Sequence, residues 1–128
     1  MADMTQSLED YLEVVQILIS SNGSAQVKDV ARMLSVKMPS VVKAIHQLKK
    51  LGLATQEPYA SICLTEKGSK LAKSVLGRHN LICGFLTKLG VSRKNADRDA
   101  CRMEHILSAE TIDRIRDYMK EKVDEKPD

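Results

Sequence analysis

The chain has 128 residues, 43% hydrophobic and 29% charged, with a formal net charge of +3. With one Phe, three Tyr and no Trp, any core it buries must be aliphatic, and the length limits it to one modest domain or two small ones. Residues 1–10 are polar and acidic and no apolar run approaches the ~20 residues of a membrane span, so no signal peptide or membrane helix is expected and the chain is placed in the cytoplasm.

Leu8, Tyr11, Leu12, Val15, Leu18 and Ile19 recur at helical spacing, and Asn22-Gly23 ends the pattern. A second helix, about 26–34, offers Val27, Val30, Ala31 and Leu34 to a core. After a turn at 35–38 comes Pro39, whose missing N–H suits a first helical turn, and a third helix runs to about Leu51 with Val42, Ile45 and Leu48 or Lys49 marking its period. Two short helices joined by a tight turn, the second rich in lysine, predict a helix-turn-helix. Residues 53–56 and 62–65 read as two strands of a hairpin, which makes the motif winged. Thr65 then caps a long helix, about 66–89, closed by Gly90, and Ser92 and Ser108 cap two more, about 93–107 and 109–123. The predicted fold is mainly α: a winged helix-turn-helix with a small β-hairpin wing over 1–70, then a helical domain over 71–128.

Charge follows this division. Residues 1–24 carry four acids and no Lys or Arg, whereas 25–80 hold ten Lys and Arg against three acids. The basic excess lies where phosphate contacts are needed, although a solvated lysine face explains charge alone equally well.

Most of the metal-ligand side chains stand outside the basic region, with His79 at its edge. Cys101, Glu104 and His105 fall on one side of a helix, being three and four residues apart. Asp10 and Glu13 repeat the three-residue spacing in the first helix, and His79 is followed one turn later by Cys83. Each has a bland alternative: a solvated helix face for the acids, a hydrogen-bonded interior residue for His79, apolar packing for Cys101. Three cysteines, odd in number and far apart, are expected as thiols; Cys63 is assigned to packing in the wing and Cys83 is left open.

The chain resembles the diphtheria toxin repressor family of metal-dependent transcriptional regulators over nearly its whole length. The resemblance rests on Leu8-Glu9-Asp10-Tyr11-Leu12-Glu13, Met38-Pro39-Ser40-Val41-Val42-Lys43, Leu64-Thr65-Glu66-Lys67-Gly68, Arg78-His79, and 100–108, Ala-Cys-Arg-Met-Glu-His-Ile-Leu-Ser. It implies a winged-helix DNA-binding domain followed by a helical metal-binding and dimerisation domain. The length leads to the expectation of the short form, similar to the manganese transport regulators, without the SH3-like domain of the larger iron regulators.

The resemblance implies principal metal ligands at Asp10, Glu13, His79, Cys101, Glu104 and His105. Asp10 and Glu13 look like the manganese branch, whereas Cys101 looks like the iron branch, since manganese regulators usually carry a carboxylate there. A thiolate moves preference from Mn(II) towards Fe(II), Co(II) or Zn(II), so Fe(II) or Mn(II) is expected in the cell, with a lean to iron, and Co(II) or Zn(II) in vitro. An ancillary site in the iron branch corresponds to His79 with Cys83 and Asp97, where the family pattern is not intact. In the manganese branch a two-ion cluster shares the principal ligands.

On the DNA side the resemblance implies base and phosphate contacts at Pro39, Ser40 and Lys43. Lys37, Lys49 and Lys50 suit phosphates, with Tyr59 and Ser61 at the wing. His46 has no assigned role. The expected partners are double-stranded DNA, as a palindromic operator, and a second copy of the chain; no membrane is expected. The expected activity is metal-dependent repression of iron or manganese uptake genes, not catalysis. Two other classes stay open: a winged-helix regulator sensing redox state or an organic ligand through cysteine, and a metallohydrolase.

Overall fold

A computed structural model describes residues 5–57 and 60–124. Among the described residues, six helices and a two-stranded sheet follow in the order α1 (Gln6–Asn22), α2 (Val27–Leu34), α3 (Met38–Lys50), β1 (Ala54–Thr55), β2 (Cys63–Leu64), α4 (Glu66–Lys88), α5 (Arg93–Ile106) and α6 (Ala109–Asp124). Their boundaries have local causes. The Thr5 hydroxyl accepts the Leu8 N–H at 3.1 Å to start α1, and Gly23, at φ 83°, lets the chain turn left-handed at its end. Ser35 caps α2 with φ 55°, a conformation no other described non-glycine residue adopts, and Pro39 lies in the first turn of α3.

The chain divides into two compact units, Met1–Ser74 and Val75–Asp128, the boundary falling within α4. In the first, Leu12, Val15, Val30, Val41, Ile45, Leu48 and Ile62 are fully or almost fully buried in one aliphatic core. In the second, Ile82 and Cys83 of α4 pack with Ala96 and Ala100 of α5 and Ile112 of α6. The two alanines, both 0% exposed, leave room for neighbouring side chains to close over α5.

Two sequence expectations need correction. The hairpin strands are two residues each, not four, paired antiparallel as Ala54 with Leu64 and Thr55 with Cys63. Flanking backbone groups are committed elsewhere: the Leu53 N–H donates to Leu48 O at 2.9 Å, and the Ile62 N–H donates to Ala25 O at 2.8 Å. Val42 does not belong to the buried face of α3. That face is Val41, Ala44, Ile45 and Leu48, and Val42 is 55% exposed. Ile45 and Leu48 stay on that face and only the first position differs, because Val41, four residues before Ile45, fits the helical period as well as Val42, three before it.

The wing is anchored at its base by Thr65. Its hydroxyl accepts the Gly68 N–H at 3.0 Å, capping α4, and donates to Gly52 O at 2.7 Å. Gly68 is buried where α4 passes the Leu53 carbonyl so closely that a Cβ would stand 1.9 Å from that oxygen.

Candidate metal centre and nucleic-acid interface

The second unit gathers several ligand-type side chains. Cys101, Glu104 and His105 lie on one side of α5, and His79 projects from α4. His79 Nδ1 lies 2.7 Å from Glu104 Oε1, and His79 Nε2 lies 2.8 Å from Asp97 Oδ1. One ligand atom from each of His79, Cys101 and Glu104 falls within 4.8 Å of the others. The Glu104 side chain is 0% exposed; its Oε2 accepts no hydrogen bond, the nearest ion-pair partner being His105 Nε2 at 3.5 Å.

A carboxylate withdrawn from water requires compensation, because its desolvation costs several kcal/mol, roughly, even after local relaxation. Glu104 has a hydrogen bond on one oxygen only. A thiol, an imidazole and a half-satisfied buried carboxylate together fit a divalent cation, being the donor types such ions take.

The remaining predicted ligands are distributed as follows. Asp10 and Glu13 lie on α1 of the first unit, Asp10 partly buried and Glu13 7% exposed, so Glu13 is not on a solvated helix face. Cys83 is 5% exposed within the apolar cluster of Ile82, Ala96, Ala100 and Ile112. Cys63 is exposed on β2, against the expectation that it packs in the wing.

The predicted DNA-contacting residues present a basic exterior. Lys37, immediately before α3, and Pro39, Ser40, Lys43, Lys49 and Lys50 within it are all exposed, and α3 contains no acidic residue. Lys49 has a second engagement, its ammonium donating to Gln56 O at 3.4 Å. Ser61 is partly buried beside β2, and Tyr59 lies outside the described residues. Sequence reasoning missed the exposed apolar pair Met38 and Val42, at 51% and 55%, set one turn apart on α3; the only signal was that Val42 competes with Val41 for the core register.

Among the described residues, no helix is long and apolar enough to cross a membrane. Residues 3–62 match the model of the iron dependent repressor N-terminal DNA binding domain, and residues 65–127 that of the iron dependent repressor metal binding and dimerisation domain. An uncharacterised HTH-type transcriptional regulator of Methanocaldococcus jannaschii is 39% identical over 91% of this chain and 95% of its own. The HTH-type transcriptional regulator MntR of Lysinibacillus sphaericus is 40% identical over 97% of this chain and 88% of its own. The solved structure of the manganese regulator SloR superposes with a TM-score of 0.79 at 29% identity, over 91% of this chain but only 55% of that longer one. These relatives are regulators and not enzymes, and the SloR structure shares the architecture of the winged helix-turn-helix and the helical unit described above. The chain belongs to the iron-dependent repressor family of metal-dependent, DNA-binding transcriptional regulators.

Proposed function

We propose that this protein is a cytoplasmic homodimeric repressor of iron or manganese uptake genes, and that Asp10, Glu13, His79, Cys101, Glu104 and His105 hold its regulatory ion. The observation that carries the reading is the buried Glu104 carboxylate, set against His79 and near the Cys101 thiol, with one oxygen lacking a hydrogen bond. A bound divalent cation supplies coordinate bonds to carboxylate, imidazole and thiolate donors. Cys101 favours Fe(II) over Mn(II) for that role, since a soft thiolate suits iron better.

Function follows from which elements carry the ligands. Asp10 and Glu13 belong to α1, whose apolar side packs in the same core as α3, the helix assigned to the major groove. His79, Cys101, Glu104 and His105 belong to the unit assigned to dimerisation. A ligand set drawn from both units makes the geometry of two DNA-reading helices conditional on the ion. DNA affinity then rises by population shift, because the binding-competent dimer becomes common. A palindromic operator suits two such helices related by a twofold axis, read by Pro39, Ser40 and Lys43 with phosphate contacts from Lys37, Lys49, Lys50, Tyr59 and Ser61. Exposed Leu89, which lines an apolar depression with Phe85, Ile115 and Tyr118, supports pairing of two copies through the helical unit.

The test is anaerobic binding to DNA from the protein's own upstream region at fixed salt, without metal and then with Mn(II), Fe(II), Co(II) or Zn(II). A large affinity gain with an ion, lost in Asp10→Ala, is the expected result. Binding indifferent to metals and chelator overturns the proposed switch and turns attention to thiol chemistry at Cys83 and Cys101.

A further inference from the structure

His79 is held from both sides by one helix. Asp97 and Glu104 lie two turns apart on α5, and their carboxylates approach the two opposite ring nitrogens at 2.8 and 2.7 Å. The two acids differ sharply in setting: the Asp97 side chain is 63% exposed and that of Glu104 0%. Asp97 is also absent from the group formed by His79, Cys101 and Glu104.

An imidazole gives a metal one lone pair, and its other nitrogen then carries a proton that needs an acceptor. Glu104 lies at Nδ1 and Asp97 at Nε2, and the Cys101 thiol is within 4.8 Å of ligand atoms of both His79 and Glu104. Water around the exposed Asp97 keeps its charged form cheap, whereas burying a second carboxylate beside Glu104 would add a large desolvation cost. Cys83, the other residue of the ancillary pattern, is packed among Ile82, Ala96, Ala100 and Ile112.

We propose that Asp97 is a positioning residue: by accepting the Nε2–H of His79 it orients the ring and assigns Nδ1 as the ligand atom, without itself binding metal. The inference rests on the metal site proposed above and gives a role to a residue outside the principal ligand set. It also accounts for the spacing Asp97, Cys101, Glu104, which puts the orienting acid and two ligands on one stripe of α5.

The experiment uses the full chain and Co(II) under anaerobic conditions, with affinity measured by chelator competition and stoichiometry by titration, in wild type, Asp97→Ala, Asp97→Asn, His79→Ala and Glu104→Gln. Asp97→Ala is expected to weaken Co(II) binding roughly 10–100-fold, as loss of a partner behind a ligating histidine does, with the number of ions per chain unchanged. Asp97→Asn, whose amide oxygen still accepts the Nε2–H, is expected to stay within a few-fold of wild type. A purely structural role for Asp97 would not move the nitrogen-15 spectrum of the imidazoles in the Zn(II)-loaded protein. That spectrum, simplified by there being three histidines, is expected to show His79 protonated at Nε2 in wild type and to lose this single form in Asp97→Ala. Unchanged affinity in Asp97→Ala, or one ion fewer per chain in both Asp97 variants, overturns the inference. Unchanged Co(II) affinity in both His79→Ala and Glu104→Gln would instead overturn the underlying metal site.

Discussion

Nδ1 of His79 and Oε1 of Glu104 lie 2.7 Å apart although 25 residues separate them in the chain. The contact ties α4 to α5 through a carboxylate that has no exposed surface, and it leaves the second oxygen of that carboxylate without a hydrogen bond. Such a group costs stability unless something else uses it.

Glu104→Gln tests that use most directly. Glutamine keeps the side-chain length and an acceptor oxygen while removing the charge, so helix content by circular dichroism should be unchanged. Metal affinity should fall by more than the roughly 10–100-fold that loss of an outer partner costs, because a charged donor is removed. Metal-dependent DNA binding should disappear with it. Retention of full metal-dependent DNA binding in Glu104→Gln would remove this residue from the ligand set.

Cys101→Glu tests selectivity. Replacing a soft thiolate by a carboxylate moves the donor set towards hard oxygen ligands, which suit Mn(II). The ratio of DNA affinities with Fe(II) and Mn(II), measured anaerobically at equal free metal, should shift towards manganese. An unchanged ratio would place selectivity elsewhere in the site.

Gly68→Ala should be among the most damaging small substitutions in the first unit. A Cβ there meets the Leu53 carbonyl at 1.9 Å, and both are backbone-anchored, so α4 or the segment entering the wing must shift. Overpacking of this kind costs about 1–3 kcal/mol, sometimes more, and should be read as a lower denaturation midpoint. Gly77→Ala in the same helix, where an added Cβ meets nothing within 4 Å, serves as the control and should be neutral or stabilising.

The limits of reading this chain from its sequence show at particular residues. Helix ends were legible where a cap carries its own chemistry: Gly23 and Gly90 at positive φ, Thr65 accepting from Gly68, Ser92 from Asn95, Ser108 from Thr111. Strand lengths were not, because Leu53 and Ile62 give their backbone N–H groups to Leu48 and Ala25, contacts that no local pattern announces. Val42 was misplaced because adjacent valines fit the same period. The ligand types on α5 were visible from spacing, but the burial of Glu104 and the contact of Asp97 with His79 depend on how α4 packs against α5.

Val41 and Val42 give that register error a measurable form. Val41 is 0% exposed and Val42 55%. Val41→Ala should destabilise the protein by about 2 kcal/mol, from lost burial at ~0.8 kcal/mol per methylene-sized group plus a residual cavity. Val42→Ala should change stability by no more than about 0.5 kcal/mol, as surface substitutions usually do. Similar losses in urea denaturation for the two variants would return Val42 to the core.

Lys43→Ala addresses the DNA face. Lys43 is exposed on α3 one turn after Pro39, with no acidic residue in the helix to neutralise it. If it contacts phosphate, its loss should weaken binding to specific and unrelated DNA alike and reduce the slope of log affinity against log salt by about 0.9 for each lysine, because one fewer counterion is released. If it reads a base, the salt slope should stay close to that of wild type while discrimination at one operator position falls by about 1–3 kcal/mol. Both slopes are obtained from the same titrations of operator and scrambled duplex at several salt concentrations. Wild-type affinity for both duplexes would show that Lys43 only solubilises the helix.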